Sequence, residues 1–177
     1  MIEIALKELW MTLTPAEIED ACLAFWEGAG SFSLDAQPRV VKALAEALRF
    51  RESFLKRLTF LEKARHLRRL VDTPTLQHLC DEVLRAWLVA RKNPMLVCFV
   101  EAQGLQHSGG IIDDTVNSPT PEVLRKGIRA VRDHFPARDV ALYMGVMLVS
   151  AGDFWTGLAD IVAVEIPSLK ADLATRT

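Results

Sequence analysis

Cysteine is scarce in this 177-residue chain and odd in number: Cys22, Cys80 and Cys98, each among apolar neighbours. That argues against a disulfide framework and for buried, reduced thiols. Long apolar runs are lacking as well. The longest uncharged stretch, from Val140 to Gly152, stops at Asp153, well short of the ~20 residues a bilayer span requires. It reads as a core helix, and no membrane span is expected. The first residues, Met1 to Glu8, have no basic region leading into an uninterrupted apolar stretch. No secretory signal is read there, and a cytoplasmic location is expected. Nine Gly and eight Pro recur without a period, which excludes collagen-like and low-complexity chains. Disorder is excluded by composition, since half the residues are hydrophobic and can bury a core. Alternating Val/Ile/Thr segments of sheet length are missing, so the fold class is all-α, a helical bundle of about seven helices.

Helix starts are written repeatedly. In Thr14-Pro15-Ala16-Glu17 the hydroxyl can cap the backbone, Pro15 lacks only a donor that would be orphaned there, and Glu17 can close a capping box. That helix carries Ile18, Cys22, Phe25 and Trp26 on one side and ends near Gly28. Thr73-Pro74, Asn93-Pro94 and Thr120-Pro121 repeat the pattern. Between Pro38 and Val71 no Gly or Pro intervenes. Val41, Leu44, Leu48, Leu55, Leu58 and Leu61 follow three-and-four spacing, which predicts one long amphipathic helix. A second is predicted from Pro74 to about Lys92, antiparallel to the first across Asp72-Thr73. Met95–Val100 reads as a short buried helix, and residues 105–120, with Ser108-Gly109-Gly110 and Asp113-Asp114, as the longest loop. Three helices follow: Pro121 to Phe135, Arg138 to Ala151 and Asp153 to Ile166. The expected organisation is an N-terminal lobe at 1–104, a loop at 105–120 and a C-terminal lobe at 121–177. Trp10, Trp26, Trp87 and Trp155 are expected as core anchors.

A net charge of −2 conceals segregation: −6 over residues 1–37, +7 over 38–71 and −3 over 72–177. Lys42, Arg49, Lys56 and Lys63 recur every seven residues and would line one stripe of a continuous helix, widened by Arg57, Arg65, Arg68 and Arg69. The stripe suits a protein partner or phosphates. It equally suits the acids of the first segment, Glu17, Glu19, Asp20 and Glu27. No aromatic stands in the stripe itself, which counts against a nucleic-acid stacking platform.

Chemistry is sparsely signalled. Glu62 and His66 are four apart near the end of the first long helix, and His78 and Glu82 four apart near the start of the next. Facing each other across a hairpin they would offer two imidazoles and two carboxylates to a divalent metal. As ordinary i,i+4 surface pairs they would instead meet Arg65, Arg68 and Arg85. The loop from His107 to Asp114 lacks the phosphate-binding glycine patterns, and it reads as a flexible connector. No nucleophile elbow or His-Glu-x-x-His occurs, so the sequence does not support an enzyme and calls for no cofactor. His134 reads as a helix C-terminal residue favoured by the dipole.

Within residues 121–167, the stretch from Ala141 to Ile161 contains Gly145, a Gly152-Asp153-Phe154 turn and Gly157, with Pro136 and Pro167 near the expected ends. It resembles one tetratricopeptide repeat, a family of helical hairpins in which small residues let two helices approach. The resemblance implies a helical adaptor or chaperone that holds a peptide or partner helix. The leading expectation is therefore a non-catalytic protein–protein interaction protein: adaptor, chaperone or assembly subunit. It would bind a protein partner through Lys42, Arg49, Lys56, Arg57, Lys63, Arg68 and Arg69. Self-association is expected too, because Met95–Val100 and Val140–Ala151 are apolar enough to need covering. The alternatives are a nucleic-acid-binding module on the 39–69 face and a metal-dependent enzyme on the 62–82 hairpin.

Overall fold

The computed structural model describes residues 4–28, 31–71, 79–112, 117–150 and 154–175. Among them eleven helices and one two-stranded hairpin form: α1 (Leu6–Thr12), α2 (Pro15–Glu27), α3 (Ser31–Leu48), α4 (Glu52–Arg57), α5 (Phe60–Val71), α6 (Leu79–Arg91), α7 (Asn93–Glu101), β1 (His107–Ser108), β2 (Ile111–Ile112), α8 (Pro121–His134), α9 (Ala137–Ser150), α10 (Leu158–Glu165) and α11 (Leu169–Ala174). The all-α class holds. No described helix is long and apolar enough to cross a membrane.

The helix count exceeds seven because the segment from Pro38 to Val71 is not one rod and because α1 and α11 form as well. α3 begins upstream at Ser31 and carries Pro38 inside it. It ends where Arg49 turns to φ 55°. There the Phe50 N–H donates to the Ala45 carbonyl at 3.0 Å, the closing bond of a Schellman-type cap. α4 runs for six residues, and Leu58, in extended conformation, stops it. α5 restarts on a capping box: the Thr59 N–H donates to Glu62 Oε2 at 2.8 Å, and the Glu62 N–H donates to Thr59 Oγ1 at 3.3 Å. The expected pair of rods is thus corrected to four helices, α3 to α6. The Asp72-Thr73 turn and Thr73-Pro74 start lie outside the described residues.

The chain divides into two compact units, Leu13–Arg91 and the combination of Met1–Thr12 with Lys92–Thr177. The division differs from lobes bounded at 104 and 121: α1 and α7 belong with the C-terminal helices. In the Leu13–Arg91 unit, α2 packs against both α5 and α6. Ala21, Cys22, Phe25, Leu67, Val83 and Leu84 are buried there. The Thr14 capping box forms as read, and Gly28 closes α2 at φ 82°. A polar latch ties α2 to α6: Trp87 Nε1–H donates to Asp20 Oδ2 at 2.8 Å, and Arg91 pairs with Asp20 at 3.1 Å and with Glu27 at 3.0 Å. The early acids therefore serve Arg91 of α6 more than the basic segment, which Glu19 meets through Arg68 at 3.6 Å.

In the other unit α7 is a helix, as read, and packs on α8. Phe99 lies edge-on to Tyr143 at 5.4 Å and to Trp155 at 5.3 Å. The apolar stretches expected to need a second copy bury much of themselves within the chain: Met95, Leu96, Phe99 and Val100 from α7, and every residue from Val140 to Val146 in α9. All four tryptophans are at most 8% exposed. Cys22 and Cys80 are buried and Cys98 is half-buried, and none of the three is in a disulfide. The segment read as a flexible connector contains the β1–β2 hairpin, turned by Gly109 at φ 56° and Gly110 at φ 84°, the pair of left-handed residues a tight hairpin requires. A Cβ on Gly110 would stand 2.7 Å from Leu96 Cβ. Asn93 donates to the Gly109 carbonyl at 2.6 Å, while Lys92 occupies the cap position of α7. Of the tetratricopeptide-like residues, Gly145 makes room for Leu9 of α1 and Gly157 caps α10 at φ 78° with open space beside it; Gly152-Asp153 lie outside the described residues.

Candidate functional site

Breaking the basic segment into three helices redistributes its side chains. Lys42 sits on α3, Arg49 in the turn after it, Lys56 and Arg57 on α4, and Lys63, Arg68 and Arg69 on α5. The seven-residue stripe is therefore not one helical face. These cations nevertheless stay at the surface, with Lys63 and Arg68 half-buried. Arg68 pairs with Glu19, and Lys56 lies 3.9 Å from Glu52. Among the described residues Lys42, Arg49, Arg57 and Arg69 take no ion pair.

The same breaks turn apolar side chains outward. α4 is held by one fully buried residue, Leu55, at 1% exposure, a short helix with a single anchor. Phe50 and Leu61 remain 40% exposed, and Phe54 and Phe60 50%. Phe50 meets Phe54 edge-on at 5.2 Å and His66 at 5.8 Å, which gathers the end of α3, α4 and the middle of α5 into one patch, while Phe60 and Leu61 stand exposed at the start of α5. Lys63 Nζ lies 5.5 Å from the Trp26 ring centroid and 5.6 Å from that of Phe60, an attraction between ammonium and ring quadrupole. Aromatics thus do stand among the cations, contrary to the reading of a stripe without them. The reading failed because an unbroken helix would place residues 50, 54, 58 and 61 on its inner face. The signal that would have found the break is Thr59-x-x-Glu62, the same capping signature recognised at Thr14.

The metal-ligating set is employed differently. Glu62 is taken up by the α5 cap, and the Thr59 N–H and hydroxyl, more than the nearby charges of Arg65 and His66, hold its carboxyl below the ordinary range. Glu82 receives Arg39 at 2.6 Å, with its Oε2 buried and unpartnered. His66 packs against Phe50 and leaves Nδ1 buried without a partner. His78 lies outside the described residues. Among the described residues no three His, Cys, Asp or Glu side chains gather as a metal would need. His134 Nδ1–H donates to the Ala130 carbonyl at 2.7 Å, in the last turn of α8 as expected.

Chemically, the patch offers contact area and positive charge. Large apolar side chains left half in water favour being covered, and unpaired guanidinium and ammonium groups around them select an anionic cover. Comparison of the chain with protein-family models, with curated proteins and with solved structures finds no significant match.

Proposed function

We propose that the protein is a non-catalytic binding protein whose α4 patch docks an acidic segment of a protein partner. The observation that carries this reading is the combination of Phe50, Phe54, Phe60 and Leu61, each 40–50% exposed, with Arg49, Lys56, Arg57 and Lys63 around them. Aromatic and Arg side chains are what protein interfaces concentrate, and a handful of aromatic anchors supplies most of the binding energy. A helical adaptor or chaperone, the role implied by the tetratricopeptide-like stretch at 121–167, fits such a surface. Three cysteines outside any disulfide suit a cytoplasmic location, where thiols stay reduced.

A nucleic-acid partner is the second reading, favoured by the mixture of rings and cations. Base stacking needs open ring faces, and here Phe50 is engaged by Phe54 and His66 while Lys63 lies over Phe60. That is why the protein partner is preferred.

The two readings separate in a pull-down from native extract at low and high salt, with and without nuclease. The proposal expects a partner with an acidic segment that survives nuclease, is released by salt, and is lost from Phe54→Ser or Arg57→Glu bait. Truncating Phe54 should weaken the purified complex by about 1–2 kcal/mol, or roughly tenfold. Nuclease-sensitive capture would establish the nucleic-acid reading instead. Capture untouched by either substitution would contradict both.

A further inference from the structure

The Lys92–Thr177 part of the molecule carries a second charged cluster. Arg125, Arg129 and Arg132 stand at i, i+4 and i+7 of α8 and converge on one carboxylate, Glu165, at the end of α10. Arg129 grips it with Nε at 3.0 Å and Nη2 at 2.8 Å. Arg132 Nη1 reaches Glu165 Oε2 at 3.1 Å and the Glu165 carbonyl at 3.3 Å, while Arg125 Nε lies 3.3 Å from Oε1. The carboxylate side chain is only 6% exposed; the arginines are 37%, 56% and 43% exposed in sequence order.

One buried negative charge thus holds three positive ones. Among the described residues Asp133, 3.1 Å from Arg132 Nε, is the other acid paired with them. The Glu165 contacts consume inner edges of the guanidinium groups. Both Nη nitrogens of Arg125, Nη1 of Arg129 and Nη2 of Arg132 take no partner among the described residues. A free Arg side chain loses about 2 kcal/mol of rotamer entropy when it is fixed, and here Glu165 has fixed three already.

We infer that Arg125, Arg129 and Arg132, positioned by Glu165, form a binding site for a phosphate group. Three partly exposed guanidinium groups on successive turns, drawn together at one carboxylate, keep donors that a tetrahedral oxyanion can use together. A single planar carboxylate satisfies one fork. Glu165 is a positioning residue here and does not touch the ligand. The inference is independent of the α4 patch.

The test titrates inorganic phosphate into the full chain, with sodium acetate and sodium chloride at matched ionic strength. The readouts are calorimetry and the NMR signals of the Arg Nε–H groups. Saturable one-to-one binding of phosphate is expected, with shifts at Arg125, Arg129 and Arg132. Arg125→Gln and Arg129→Lys should each weaken it at least tenfold, while Lys170→Gln, at an exposed position of α11, leaves it unchanged. Arg125→Gln removes only the longest of the Glu165 contacts, and circular dichroism checks that it is folded. The wild-type titration decides the matter even if a variant is not. No saturable response, an equal response to acetate or chloride, or binding indifferent to both substitutions would overturn the assignment.

Discussion

Arg49 holds a left-handed backbone, φ 55°, at the cap position where α3 ends. A Cβ in that region costs about 1–2 kcal/mol, and glycine avoids the clash while losing some of the gain to its greater freedom in the unfolded chain. Arg49→Gly should therefore stabilise the protein by about 0.5–1 kcal/mol, read as a rise in the midpoint of chemical denaturation, while removing one cation from the patch. Glu165 makes an opposite case. Hydrogen bonds from Arg129 hold its carboxyl below the ordinary range; burial opposes them, and the charges of Arg129, Arg132 and Arg125 add to them. A carboxyl depressed on folding stabilises the fold above its unfolded value, and that contribution disappears as pH falls through the ordinary carboxylate range toward the depressed value. Thermal scans should show Glu165→Gln less stable than wild type by about 1–2 kcal/mol near neutral pH, a moderate figure because the arginines are partly solvated. The difference should shrink on acidification below about pH 5. A pH-independent difference would mean that Glu165 acts through packing alone.

Among the elements, α8 depends on a glycine that helix propensity disfavours. A Cβ on Gly127 would stand 2.9 Å from the Phe99 carbonyl oxygen and 2.6 Å from Gln103 Nε2, so α7 approaches α8 too closely for alanine. Gly→Ala in an exposed helix gains up to about 1 kcal/mol. Here Gly127→Ala should destabilise by about 1–3 kcal/mol, because α7 must shift or strain. Denaturation midpoints decide the sign. Legibility at this scale followed the caps. Thr14 and Thr120 marked α2 and α8 correctly because the hydroxyl, Pro and apolar face agree there. Thr59 carries the same grammar without a Pro, inside a stretch whose leucine spacing imitates one long helix, and periodicity overrode it. The Arg49 stop has no sequence mark at all, since nothing in the residue type announces φ 55°. Gly127 gives no hint either, because its need arises only when α7 lies across it.

At the scale of the whole molecule, the sequence reads as all-α with buried tryptophans, and the structure agrees. The grouping of helices was not readable. Whether α1 packs with α2 or with α9 is settled by a long-range fit, Leu9 filling the space beside Gly145, which leaves no local trace. The proposed docking surface was half readable: its cations stand in the sequence, but its phenylalanines look like core until α3, α4 and α5 separate. The account rests on that surface, and the most direct test places a photo-reactive phenylalanine analogue at position 54 of the full chain in native extract. The account predicts a cross-link to a protein through an acidic segment, unaffected by nuclease and suppressed by raised salt or by Arg57→Glu. A cross-link to nucleic acid, or a protein adduct indifferent to both salt and Arg57→Glu, would contradict it.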